Sequence, residues 1–215
     1  MNITLYDYWR SSASFRVRIA LYLAELEFKI IPVDLMSKKN LSDEYLEINP
    51  QGLVPTLLID NLILTQSLAI IEYLDQTGRL SVLPLNPVDR LRVKTLSYAI
   101  AMEIHPICNL SVSTYVKEAS GTKITMNQWM EQFIPKGLLA VEKLLDHPQA
   151  GTYCHEDKVT LADLCLIPQL YNANRWNIPL DSYPRIREIA GNLAKIDAFT
   201  RASPEETKKL TGEKS

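Results

Sequence analysis

The segment TLLIDNLILTQSLAIIEYL, residues 56–74, decides how this chain is read. Residues 56–59 and 62–64 are short runs of β-forming residues. Asp60-Asn61 between them reads as a tight turn, because short polar side chains tolerate the backbone a turn requires. A helix then starts at Ser67 and runs through Leu68-Ala69-Ile70-Ile71-Glu72-Tyr73-Leu74. Two strands in a hairpin followed at once by a helix form the closing half of a small α/β unit.

Working upstream, residues 3–6 and 28–33 carry the same strand signal. Between them Val17, Ala20, Leu21 and Ala24 recur at i, i+3, i+4, i+7, one face of a helix. A further helix is expected near 41–47, ending before Asn49-Pro50, since the residue preceding proline avoids the helical region. The order is β-α-β-α-β-β-α, that of a thioredoxin-like domain over residues 1–80. Downstream, Leu83-Pro84-Leu85-Asn86-Pro87 breaks all periodicity and reads as a linker. Beyond it Val93, Leu96, Ile100, Ile104 and Ile107 mark one long helical stripe, and Ile134, Leu138, Val141 and Leu145 a second. Pro106 and Pro135 are expected to kink these helices. The expected fold class is therefore an α/β thioredoxin-like domain followed by an all-α domain over residues 88–212, with a polar, frayed tail from Pro204.

Thr160 carries a nearly complete helix start. It can cap, Asp163 can reach back to its amide, and Val159 and Leu164 occupy the staple positions. Leu161, Leu164, Cys165 and Pro168 share a face of the helix so opened, which is expected to be buried.

Composition excludes several classes. A net charge of −2 gives no general attraction to nucleic acid or to an anionic membrane. The 7 glycines form no phosphate-cradling loop, and no apolar run approaches a membrane span. The start reads as a strand rather than a secretory leader. Three cysteines, Cys108, Cys154 and Cys165, are irregularly spaced, and with His105, His147 and His155 they match no metal-ligand pattern. A reduced cytoplasmic protein without a metal is expected.

Local chemistry marks several positions. Ser11-Ser12 opens the first helix and Gln66-Ser67 the third; taken alone, each serine reads as an N-cap. Arg16 and Arg18 read as solvated surface charges, Arg18 equally as the structural partner of an acidic group. A lone His105 on a long helix reads as a structural group.

Six segments together carry a resemblance. Ser11-Ser12-Ala13-Ser14-Phe15-Arg16-Val17-Arg18-Ile19-Ala20-Leu21 is similar to the signature Ser-Ser-Cys-x-Trp-Arg-Val-Arg-Ile-Ala-Leu of zeta-class glutathione transferases. Asn49-Pro50-Gln51-Gly52-Leu53-Val54-Pro55-Thr56-Leu57 and Gln66-Ser67-Leu68-Ala69-Ile70-Ile71-Glu72-Tyr73-Leu74 resemble the same class, as do Asn109-Leu110-Ser111-Val112, residues 160–169 and Asn172-Ala173-Asn174-Arg175. The resemblance implies the glutathione transferase fold, with glutathione as cofactor and a small diacid as substrate. It implies cis–trans isomerisation of maleylacetoacetate, in aromatic amino acid catabolism, by reversible thiolate addition to the cis double bond.

It further implies Ser11 as the thiolate stabiliser and Ser12 as a second donor. Val54 before a cis Pro55 would pair with the tripeptide backbone, and Gln66 and Ser67 would hold its γ-glutamyl end. Arg10 and Arg175 would hold substrate carboxylates, Arg10 beside the catalytic serines. His105 stands where some bacterial relatives place a histidine against glutathione, with Cys108 and Asn109 beside it. Ala13 replaces the signature cysteine and Phe15 the tryptophan, while Cys108 replaces a Gln or Asn that touches glutathione, so that contact is altered. Maleylpyruvate isomerases of this class carry further arginine after the Asn109 position; Leu110-Ser111 here leans towards maleylacetoacetate. Conjugation or dehalogenation of small α-halo acids, maleylpyruvate isomerisation and a non-catalytic interaction module remain the alternatives. The class also implies a homodimer.

Overall fold

The computed structural model describes residues 2–212. They fall into two compact units, one running to Ser81 and resuming at Ile196, the other spanning Val82–Lys195.

In the first unit β1 (Thr4–Asp7) leads into α1 (Ser12–Leu23), followed by β2 (Lys29–Pro32), α2 (Asp43–Ile48), β3 (Thr56–Ile59), β4 (Leu62–Thr65) and α3 (Ser67–Gln76). The sheet order is β2-β1-β3-β4. β1 pairs parallel with β2 and antiparallel with β3, and β3 pairs antiparallel with β4. The β3–β4 turn works as its residues dictate: Asp60 and Asn61 both sit at positive φ, 53° and 62°. That geometry matches the twist of a two-residue hairpin. Leu5, Ile19, Leu57, Ile59, Ile70, Ile71 and Leu74 are fully buried between the sheet and the two long helices.

The second unit is helical: α4 (Pro87–Tyr98), α5 (Leu110–Ala119), α6 (Met126–Leu145), α7 (Leu161–Arg175) and α8 (Pro184–Leu193). Asn86 accepts from the amides of Val88 and Asp89, and Pro87 fills the first helical position, where its missing N–H loses nothing. The stripe Val93, Leu96, Ile100, Ile104 is buried as expected, yet it does not belong to one regular α-helix. From Ala99 to Ile104 the backbone widens to π geometry, the His105 amide reaching the Ile100 carbonyl at 3.0 Å. The chain turns before Asn109, so Pro106 lies beyond the helix rather than kinking it. Gly137 of α6 meets this segment so closely that a Cβ would stand 2.4 Å and 2.5 Å from Ile104 Cγ1 and Cδ1. At α7 the capping box forms: Asp163 accepts from the Thr160 amide at 2.7 Å and its hydroxyl at 2.9 Å. The second Asp163 oxygen accepts from the Cys154 amide. Burial still pushes the Asp163 carboxyl above its usual range.

Two expectations for the C-terminal stretch are corrected. The segment to residue 212 does not stay with the helical unit. From Ile196 it returns to the first unit as α9 (Asp197–Arg201) and α10 (Pro204–Thr211), with α9 packing on α1 and α10 on β2. Nor is the stretch from Pro204 frayed: Ser203 caps it, acids fill its first turn and lysines its last, and Thr207 is buried.

Candidate active site

The loop from β1 to α1 is held by a buried ion pair. Asp7 and Arg18 are 1% and 0% exposed, and one Arg18 nitrogen donates to both Asp7 oxygens at 2.7 and 2.8 Å. The rest of the guanidinium is used as well: NH2 donates to the Trp9 carbonyl at 2.8 Å and Nε to the Ala202 carbonyl at 2.9 Å. Arg16 is 3% exposed and donates to Ser67 Oγ at 2.9 Å. The reading of Arg16 and Arg18 as solvated charges is therefore overturned, and the structural-partner reading of Arg18 holds. Both lie in an apolar run, Phe15 to Leu21, on a helix buried along most of its length. That setting was the available signal that their charges are paired inside.

Ser11 is the N-cap of α1, with Oγ accepting from the Ser14 amide at 3.2 Å. A hydroxyl oxygen that accepts there keeps its single proton for another acceptor, so capping and donation to an anion are compatible. Ser12 is buried in the first turn, where helix amides have no intrahelical carbonyl. Arg10 donates to the Tyr8 hydroxyl at 3.1 Å, its guanidinium 5.1 Å from the Trp9 ring centroid, and its buried Nε has no partner. On the other face of the loop's chemistry, Lys208 of α10 stands 4.9 Å from the same Trp9 ring.

The Val54–Pro55 peptide is cis, as the resemblance implied. Val54 packs in one buried cluster with Tyr8, Val33 and Tyr45, which ties its loop to the one carrying Arg10 and Ser11. Tyr45 Oη and Asn49 Nδ2 each donate to the Leu53 carbonyl at 2.7 Å and fix the loop from the α2 side. Gln66, at the unusual φ of 67°, donates from Nε2 to Gln51 Oε1 at 2.9 Å and so joins the start of α3 to that loop. Ser67 is buried, its oxygen occupied by Arg16. Ser11, Ser12, Arg10, Val54, Pro55, Gln66 and Ser67 are thus brought together through Tyr8, Gln51 and Arg16. Tyr8 and Gln51 were not singled out from the sequence, and Arg16 was read there as a solvated charge.

In the helical unit His105, Cys108 and Asn109 share the turn after the π segment. The Cys108 amide donates to the Ile104 carbonyl, and the Asn109 side chain caps α5 by accepting from the Ser111 amide. Burial pushes the Cys108 thiol up to about 11, so it stays protonated at neutral pH. Arg175 stands exposed in the last turn of α7, its guanidinium 5.1 Å from the Trp176 ring centroid.

Two helix N-termini with adjacent hydroxyls, one of them backed by a buried arginine, offer concentrated positive potential to a ligand bearing several negative groups. Comparison with known proteins agrees. The model of the glutathione S-transferase N-terminal domain matches residues 1–76, and that of the C-terminal domain residues 105–199. A maleylacetoacetate isomerase from Rhizobium meliloti is 53% identical over 95% of this chain and 97% of its own length. The chain belongs to the zeta class of glutathione transferases.

Among solved structures, a bacterial zeta-class maleylpyruvate isomerase in its holo form matches with a TM-score of 0.91 at 37% identity, covering 94% of this chain and 97% of that one. A maleylacetoacetate isomerase from Anaeromyxobacter dehalogenans, with dicarboxyethyl glutathione and citrate in its active site, matches at 0.84 and 33% identity, covering 95% of each chain. The donor set of this zeta-class chain fits glutathione. Ser11 and the first-turn amides of α1 suit a sulfur anion, and the start of α3 with Ser67 suits a carboxylate.

Proposed function

We propose that the protein is a glutathione-dependent cis–trans isomerase of maleylacetoacetate. The observation that carries this reading is Ser11, fixed as the cap of α1 with its oxygen accepting from the Ser14 amide, which leaves its proton available to a further acceptor. The 53%-identical relative bears the name of this activity. The dicarboxyethyl glutathione of the Anaeromyxobacter structure supports a diacid substrate, since addition of a thiol across a four-carbon ene-diacid gives that group.

When bound, glutathione supplies a sulfur nucleophile that adds reversibly to a polarised cis double bond and departs after rotation. The chain's own residues do the remaining work. Ser11, Ser12 and the first-turn amides hold negative charge on the sulfur. The Val54 main chain beside Pro55 pairs with the tripeptide backbone, and Gln66, Ser67 and the α3 amides hold its γ-glutamyl carboxylate. His105 and Asn109 contribute from the turn before α5. Arg10 and Arg175 grip the two substrate carboxylates in the planar fork geometry that arginine offers and lysine does not.

Incubation with maleylacetoacetate and substoichiometric glutathione tests the reading: the cis isomer disappears while total glutathione stays constant. One-for-one consumption of glutathione on α-halo acids, without isomerisation, would establish the conjugating alternative instead. The holo maleylpyruvate isomerase neighbour favours a second reading, isomerisation of maleylpyruvate, and comparison of kcat/KM for the two diacids decides between them.

The finer assignments are a homodimer in the cytoplasm. Exposed Leu62 and Ile63 on β4, and exposed Leu85, Val88 and Leu91 around the start of α4, support self-association. Three buried cysteines that form no disulfide support a reducing compartment. Sedimentation velocity of the purified protein reads the oligomeric state directly.

A further inference from the structure

We propose that Asp89, His155 and Glu156 form a divalent transition-metal site in the helical unit, remote in sequence from every residue assigned to catalysis. Each of the three side chains brings one ligand atom to within 4.8 Å of the other two. His155 is only 3% exposed, and its Nδ1 is buried with no hydrogen-bond partner. A buried imidazole nitrogen left unsatisfied is unfavourable, and ligation of a cation removes that penalty.

The surroundings are organised around the two carboxylates. Asp89 lies in the first turn of α4, where Gln149 Nε2 donates to its Oδ1 at 2.6 Å, so one oxygen is oriented and the other remains to bind. An amide donor behind a carboxylate is the usual outer support of a metal ligand. Glu156 follows His155 directly and adopts φ 52°. Its amide donates to the Gln149 carbonyl at 2.7 Å, and its carbonyl accepts from the Tyr153 amide. Gln149 therefore braces both Asp89 and Glu156. The Glu156 side chain is exposed, so the cluster is open to solvent on that side, and it also lines a cavity of about 480 Å³ with Gln149, Gly151 and Lys158.

One imidazole nitrogen and two carboxylate oxygens suit Zn²⁺ or Co²⁺ better than Ca²⁺ or Mg²⁺, which take oxygen alone. Zinc holds such ligands at about 2.0–2.2 Å, so the three atoms close to within about 3.5 Å of one another on binding, with water completing the shell. The exposed Glu156 side chain has the freedom to make that move. The ion ties the beginning of α4 to the loop ahead of α7.

The test is calorimetric titration of the untagged full-length protein with Zn²⁺, paralleled by Co²⁺ absorption. One ion per chain is expected, with a cobalt spectrum of nitrogen–oxygen ligation and no thiolate charge-transfer band. Glu156→Gln and Asp89→Asn keep shape and fold, and each is expected to weaken binding by at least about tenfold; Gln149→Ala, acting through Asp89, by about tenfold. Zn²⁺ should raise the thermal midpoint of the parent protein and leave that of Glu156→Gln unchanged. No saturable binding at millimolar Zn²⁺, or binding unaltered by the two carboxylate variants, overturns the proposal.

Discussion

At the scale of single residues, Ser11 performs two tasks that substitution can separate. Ser11→Ala removes the cap, which costs about 1 kcal/mol of stability. It also removes the donor to the sulfur, and kcat is expected to fall by about 10²–10³-fold, the usual effect of losing one preorganised donor. Glutathione affinity should barely change, and the ultraviolet absorbance of bound thiolate should drop at neutral pH; full turnover in this variant would reject the role. Arg175→Ala should raise KM for diacids by about tenfold or more, because a charge-assisted bond contributes about 1.5–3 kcal/mol. Steady-state kinetics on an uncharged glutathione acceptor provides the control, and equal loss there would sink the clamp. The sequence exposed these residues unevenly. Ser11, Gln66 and Ser67 lie at helix starts, where local pattern speaks. Arg16 was misread as a solvated charge, and Arg18 was left open between that and an acidic partner, because the apolar run around them signals burial without naming partners as distant along the chain as Ser67 and Ala202.

At the scale of elements, the Asp7–Arg18 pair joins β1, α1 and α9 and fixes the Trp9 carbonyl just before Arg10 and Ser11. Arg18→Met leaves a buried carboxylate alone, which costs about 3–5 kcal/mol in chemical denaturation. Asp7→Asn combined with Arg18→Met should recover part of that loss, while turnover stays low because the loop before Ser11 is no longer tethered. A second element-level test concerns the π segment. Gly137→Ala forces a methyl against Ile104 and should destabilise by about 1–3 kcal/mol. Adding Ile104→Ala should soften that effect, a coupling measurable in a double-mutant cycle. The strands and helices up to Gln76 were legible because β-forming runs, helical spacing and turn residues all agreed. The π turn was not, since Val93, Leu96, Ile100 and Ile104 keep a helical rhythm whichever hydrogen-bond pattern the backbone adopts.

At the scale of the whole molecule, burial holds several acidic protons in place. The Cys108 thiol is pushed up to about 11 from 9.0, and the Tyr45 and Tyr183 hydroxyls are also raised, all chiefly by burial. A group with a raised folded pKa stabilises fully below its unfolded value and progressively less as pH climbs through its folded one. For Cys108 the window is pH 9 to about 11 and the loss about 3 kcal/mol, so urea midpoints should fall across that range. Cys108→Ala should make the decline shallower; an unchanged slope would count against the burial of that thiol. The division of the chain was the least legible feature, because nothing local to residues 196–212 announces that they pack beside α1 and β2. That return has a temporal consequence. Arg18 completes its set of bonds only when Ala202 arrives, 184 residues later. A nascent polypeptide leaving the ribosome must therefore hold its first α/β layer unfinished, with a partly satisfied guanidinium, until Ala202 has been synthesised and released.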